Sequence, residues 1–224
     1  MAKIETSLLT EQVYDLLRTK IIDGEYQPGD KLDIYKLSDE FGVSRSPVKD
    51  AINQLVYDGL IEIIPRKGTY VTEVDFTSFL ETLDARLMVE IWAAKQVIAR
   101  LSVDKIDKLG KVVQEMDHVL DTKPFSFEKY NKLDMKFHNT LVEETNNQTI
   151  MDLFNSFNTH IALSRIVRST SLTSTLKRHQ DHWELYQSLK DRNFSAFTAV
   201  ISAHIRSIQE EAAQLFEKTK ETNM

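Results

Sequence analysis

At 224 residues, with 42% hydrophobic content and a net charge of −6, the chain has the composition of an ordinary globular protein with room for one large or two small domains. It has no cysteine, which excludes a disulfide framework and a thiolate metal site, so any metal must take nitrogen and oxygen ligands. No apolar run approaches the roughly 18 to 20 residues that span a bilayer, and Met1-Ala2-Lys3-Ile4-Glu5 lacks the apolar core of a signal peptide, so a cytoplasmic location is expected.

In chain order, Thr10 to Asp23 is predicted as a helix with Val13, Leu16, Leu17 and Ile21 inward and Gly24 as its stop. Pro28-Gly29 marks a turn in the connector that follows. Asp33 to Phe41 is a short amphipathic helix with Ile34, Leu37 and Phe41 inward, and Gly42-Val43 is a tight turn into Ser44. The stretch from Gly42 to Leu60 then reads as a helix whose N-cap is Ser44, whose first turn tolerates Pro47, and which Gly59 closes. Val48, Ile52, Leu55 and Val56 make its apolar face. Its other face carries Arg45, Ser46, Lys49 and Asn53, types that hydrogen-bond phosphates and base edges. A solvated amphipathic face is the ordinary explanation of such a pattern, but the neighbours change it. Two helices joined by a short glycine-containing turn are the helix-turn-helix arrangement. The β-prone runs Ile61 to Ile64 and Thr69 to Thr72 flank Pro65-Arg66-Lys67-Gly68, which predicts a hairpin wing whose basic tip can reach phosphates or a minor groove.

Residues 11 to 72 resemble the winged helix-turn-helix of the GntR family of bacterial transcription regulators. The matching blocks are Ile22-Asp23-Gly24, Pro28-Gly29-Asp30-Lys31-Leu32, Gly42-Val43-Ser44-Arg45-Ser46-Pro47-Val48 and Gly59-Leu60-Ile61. The resemblance implies a double-stranded DNA operator as partner and a DNA-reading set of Ser44, Arg45, Ser46, Lys49, Asn53, Arg66, Lys67 and Gly68. Lys49-Asp50 departs from the family's usual arginine followed by glutamate. Lysine lacks the planar two-pronged donor, so position 49 is expected to touch phosphate or to make a weaker base contact. Acidic residues outnumber basic ones even within this segment, so the cations must cluster on one face, and a homodimer reading an inverted repeat is expected to supply affinity.

Val74-Asp75-Phe76 is the expected boundary between a DNA-binding domain over 1–74 and a second domain over 75–224. Beyond it lie six helical stretches and no convincing strand: Thr77 to Arg100, Ser102 to Asp121, Ser126 to Glu144, Gln148 to Ser169, Leu172 to Asp191 and Asn193 to Lys218. Short connections make them an antiparallel all-α bundle, so the fold class is mainly α with an N-terminal winged helix-turn-helix. Asp134 and His138 share one helix face, and His182 and His204 stand among apolar residues that aim them inward. Taken alone, buried histidines more often satisfy hydrogen bonds than bind metals.

Residues 77 to 215 resemble the six-helix, VanR-like effector domain of the FCD (FadR-type) branch of the same family. In its metal-containing members the pattern is Asp-x-x-x-Phe/His followed by two later histidines 22 positions apart, and Asp134, His138, His182 and His204 occupy all four places. The resemblance thus implies a divalent ion (Zn, Ni, Mn or Fe) with an open coordination position for a small organic acid effector. It also assigns Arg86, of an Arg86-x-x-x-Glu90 motif, and Asn147 to the effector, while Arg165 is a weaker candidate on spacing alone. Arg86 has a purely structural alternative as the i, i+4 partner of Glu90. His118, His160 and His179 have no place in the pattern. The expected function is a ligand-responsive transcription regulator and not an enzyme; the alternatives are a metal-dependent hydrolase or lyase carrying a DNA-binding module, and a regulator with a bulky effector and no metal.

Overall fold

The computed structural model describes residues 4–73, 75–166 and 172–222, and the side chains of 158–171, Arg165 and His160 among them, lie outside that description. The chain divides into two compact units, Met1–Asp75 with Thr159–Arg168, and Phe76–Asn158 with Ser169–Met224. Among the described residues no helix is long and apolar enough to cross a membrane.

The first unit contains α1 (Ile4–Ile22), β1 (Lys31–Leu32), α2 (Ile34–Phe41), α3 (Arg45–Tyr57), β2 (Ile61–Ile64) and β3 (Gly68–Val71). Val13, Leu17 and Ile21 of α1 close one core with Val48, Ile52 and Leu55 of α3 and with Leu60, Ile61 and Val71. The i, i+4 spacing that gives α3 its apolar face is thus what seats it on α1. Asp33 caps α2, accepting from the backbone N–H groups of Tyr35 and Lys36. Gly42 ends α2 in the left-handed region (φ 66), where a Cβ is strained, and this reversal starts the turn into α3. The expected helix from Gly42 to Leu60 is therefore shorter at both ends, because Gly42 and Gly59 both take positive φ. Ser44 occupies the N-cap position, but its hydroxyl makes no capping bond. The sheet order is β1-β3-β2, antiparallel, with Lys31 opposite Tyr70 and Ile61 opposite Val71.

The second unit is built of α4 (Phe76–Val97), α5 (Val103–Asp121), α6 (Phe127–Glu143), residues 148–158 of α7 (Gln148–Ile166), α8 (Leu172–Lys190) and α9 (Phe194–Thr222). Ser102 and Ser126 cap α5 and α6 through their hydroxyls. Successive packing of α4 on α6, α6 on α5, α5 on α8, α8 on α9 and α9 back on α4 closes a ring of helices. Phe154 of α7 packs with Val89 and Ala93 of α4 and Val142 of α6 in a cluster of their own. Within the ring, inward positions are not all apolar: Arg86, Glu90, Asp134, His138, His182 and His204 are all at most 5% exposed.

Candidate functional site

The DNA-reading set expected from the sequence is presented to solvent. Ser44, Arg45, Ser46, Lys49 and Asn53 are exposed on α3, while Pro47, Val48, Ala51, Ile52 and Leu55 are buried on its other side. Arg66 and Lys67 are exposed at the tip between β2 and β3. Gly68 has φ 136, and the Lys31 side chain lies where its Cβ would be, 2.8 Å from Lys31 Cε. Lys31 is thereby held against the wing, with its Nζ 5.8 Å from the centre of the Tyr70 ring, and adds a cation that the sequence pattern did not single out. The Arg45 guanidinium lies 5.0 Å from the centre of the Tyr35 ring, an aromatic residue that is 63% exposed on α2. This surface offers hydroxyls, an amide and cations, the groups that contact phosphates and base edges.

The polar interior of the helical unit is organised differently. Asp134 and His138 come from α6, His182 from α8 and His204 from α9, and one potential ligand atom of each lies within 4.8 Å of the others. His138 Nδ1 donates to Glu90 Oε2 at 2.6 Å, and Glu90 Oε1 accepts from Arg86 Nε at 2.7 Å. His204 Nδ1 donates to Asp181 Oδ2 at 3.0 Å. A carboxylate can only accept, so each of these bonds fixes the tautomer and leaves the Nε2 lone pair bare. The Nε2 atoms of His138 and His204 and both ring nitrogens of His182 are buried and make no hydrogen bond, although His182 Nε2 lies 3.1 Å from Asp134 Oδ1.

Electrostatics favour the neutral, ligating form of two of these rings. Burial pushes His138 below its usual value against the pull of Glu90, and pushes His204 down to about 4 against its bond to Asp181. Burial also opposes ionisation of Glu90, but His138 and Arg86 outweigh it and hold the carboxyl down to about 2. Arg86 carries a fixed charge beside the Glu90 carboxylate, and His138 gives it an N–H donor.

Nitrogen and oxygen donors that are buried and converge, with the Nε2 lone pairs of His138 and His204 free of protons, fit a borderline divalent ion. Arg86 is the partner of Glu90, and its Nη2 remains buried without a hydrogen bond, its Cζ 5.8 Å from the centre of the Phe154 ring. Asn147 does not join this interior. It is exposed, and its Oδ1 accepts from the backbone N–H of Ile150 at 3.2 Å, capping the start of α7. Arg165 lies on α7, and its side chain falls outside the description. His179 is tied to Tyr130 and Asp117 at 3.1 and 2.6 Å, a structural link among α8, α6 and α5.

Two family models match the chain: the GntR family of bacterial regulatory proteins over residues 9–71 and the FCD domain over residues 81–207. The chain belongs to the GntR family, in its FCD branch. It is 27% identical to the HTH-type transcriptional regulator YdhC of Bacillus subtilis, over 94% of this chain and 93% of that relative. It is 22% identical to the HTH-type transcriptional repressor RspR of Escherichia coli, over 94% and 91% respectively. Among solved structures, E. coli McbR/YncC superposes with a TM-score of 0.80 at 17% identity, covering 93% of this chain and 98% of that one. A GntR-type regulator from Rhodococcus sp. RHA1 gives 0.79 at 21%, covering 92% and 97%. These last likenesses concern the fold. Family and relatives together make this GntR protein a DNA-binding transcriptional regulator.

Proposed function

We propose that this regulator senses a small organic acid through a divalent ion held by Asp134, His138, His182 and His204, and reads an inverted repeat as a homodimer. The observation that carries the reading is the set of bare, buried imidazole nitrogens converging with Asp134 inside the helical ring. Leaving a buried polar atom unsatisfied costs about 1 to 3 kcal/mol, and an ion bound by one nitrogen of each ring offsets that cost at His138 and His204 and at one of the two bare nitrogens of His182. A divalent ion there supplies positive charge and an open position for a carboxylate. Arg86, whose Nη2 has no partner, supplies a second anchor for the same carboxylate. Glu90 and Asp181 orient His138 and His204 through their Nδ1 protons. Because the four candidate ligands come from α6, α8 and α9, occupancy couples the packing of these helices. Small helix shifts of that kind can alter how two winged domains span half-sites about one DNA turn apart.

On the DNA side, Ser44, Arg45, Ser46 and Asn53 read or position along the groove, Lys49 touches phosphate, and Arg66, Lys67 and Gly68 form the wing contact. With a net charge of −6, non-specific affinity is modest and two half-sites per dimer are needed for tight binding. The test is a titration of the metal-loaded full chain onto a duplex it selects from a random-sequence pool, with and without a panel of small carboxylates. One acid of the panel shifts DNA affinity about 5- to 150-fold, and His182→Ala abolishes that shift while retaining DNA binding in the absence of acid. A shift that persists undiminished in His182→Ala removes the site from the mechanism.

A further inference from the structure

Tyr35 is 63% exposed, so it adds little to the core that seats α2. Its backbone is nonetheless fixed at both ends: the N–H donates to the Asp33 cap at 2.8 Å, and the carbonyl accepts from the Oγ of buried Ser38 at 2.8 Å. The ring of this rigidly mounted residue stands 5.0 Å from the Arg45 guanidinium. Arg45 is the first residue of α3 and has no carboxylate partner among the described residues. An aromatic face is thus the group that the structure offers to the cation.

We infer that Tyr35 is a positioning residue of the DNA-reading face, stacking on Arg45 and presenting its guanidinium to the groove. The inference rests on the reading of α3 as the base-reading helix. Stacking uses the flat face of a guanidinium and leaves its in-plane N–H fork open, and that fork is what pairs with the O6 and N7 edge of guanine. It also restricts a long side chain before DNA arrives, so less rotamer freedom is lost on binding. A lysine at position 45 would keep the charge and lose both properties. Lys49, one turn further along the same face, shows no such ring contact among the described residues. Positions 45 and 49 therefore contribute differently: the first to discrimination, the second to charge.

The experiment is a double-mutant cycle on the full chain. Fluorescence anisotropy at one salt concentration measures binding to a duplex the wild type selects from a random-sequence pool, and to a scrambled duplex. Tyr35→Ala lowers affinity for the selected duplex about three- to tenfold and leaves the scrambled duplex unchanged. Tyr35→Phe stays within about twofold of wild type, and Tyr35→Ala has no further effect in an Arg45→Ala background. Thermal melting of each variant checks folding, and Tyr35→Leu, which keeps bulk without a π face, repeats the test if the alanine variant melts early. Equal losses from Tyr35→Phe and Tyr35→Ala would mean that the hydroxyl touches DNA itself, which overturns the inference. The same loss with and without Arg45 would overturn it too. Wild-type affinity in Arg45→Ala alone would overturn the reading of α3 and this inference with it, so the two failures are told apart.

Discussion

Both units carry polar atoms that have no hydrogen-bond partner among the described residues, yet the physical meaning differs. On α3 and the wing, Arg45, Lys49, Arg66 and Lys67 are exposed, and water solvates them at no cost. Within the helical ring, the bare nitrogens of His138, His182 and His204 are out of reach of water, and each would cost about 1 to 3 kcal/mol if nothing bound it. An unpartnered exposed cation is weak evidence of a ligand, whereas an unpartnered buried imidazole is strong evidence. The assignment of the first unit to DNA therefore leans on the fold and the family, while the case for an ion in the second leans on energetics.

Substitutions sharpen this contrast. The largest effect is expected at Glu90, which compensates Arg86 and orients His138 at 0% exposure. Glu90→Gln leaves a buried guanidinium without its counter-charge and should destabilise the helical unit by about 3 to 5 kcal/mol, read as a lowered urea midpoint at unchanged m-value. A loss below about 0.5 kcal/mol, the range of surface changes, would show that the interior is wetter than its burial implies. Arg45→Ala comes next: operator affinity falls by about 1 to 3 kcal/mol with melting unaltered, because the side chain leaves no cavity. A change in melting as large as that at Glu90 would erase the distinction between the two units. Lys49→Ala is the mildest. It should weaken all duplexes alike and lower the salt slope by about 0.9; a changed base preference would mean that lysine reads a base.

Much of this was legible in the chain because periodicity is local. The apolar positions of α3 and the i, i+4 pair Asp134 and His138 follow from spacing within one helix. The strand Lys31–Leu32 was not legible, since two residues cannot show alternation, and β3 is what makes them a strand. Nor did spacing reveal that Glu90 holds His138 or that Asp181 holds His204, because those bonds join residues 48 and 23 positions apart on different helices. Asn147, which family resemblance gives to the effector, has a local role that spacing did not announce: its Oδ1 caps the start of α7. The approach of Arg45 to within 5.0 Å of the Tyr35 ring centre needs the turn at Gly42 to bring two helices together, which no single-helix pattern encodes.

Calorimetric titration of the chelator-stripped full chain with Zn²⁺ decides whether Asp134, His138, His182 and His204 act as one ion site. One ion bound per chain is expected for the wild type and no saturable binding for His182→Ala, with both proteins retaining their helical circular dichroism. Absence of binding by the wild type, or a His182→Ala protein that titrates with wild-type stoichiometry and affinity, would contradict it.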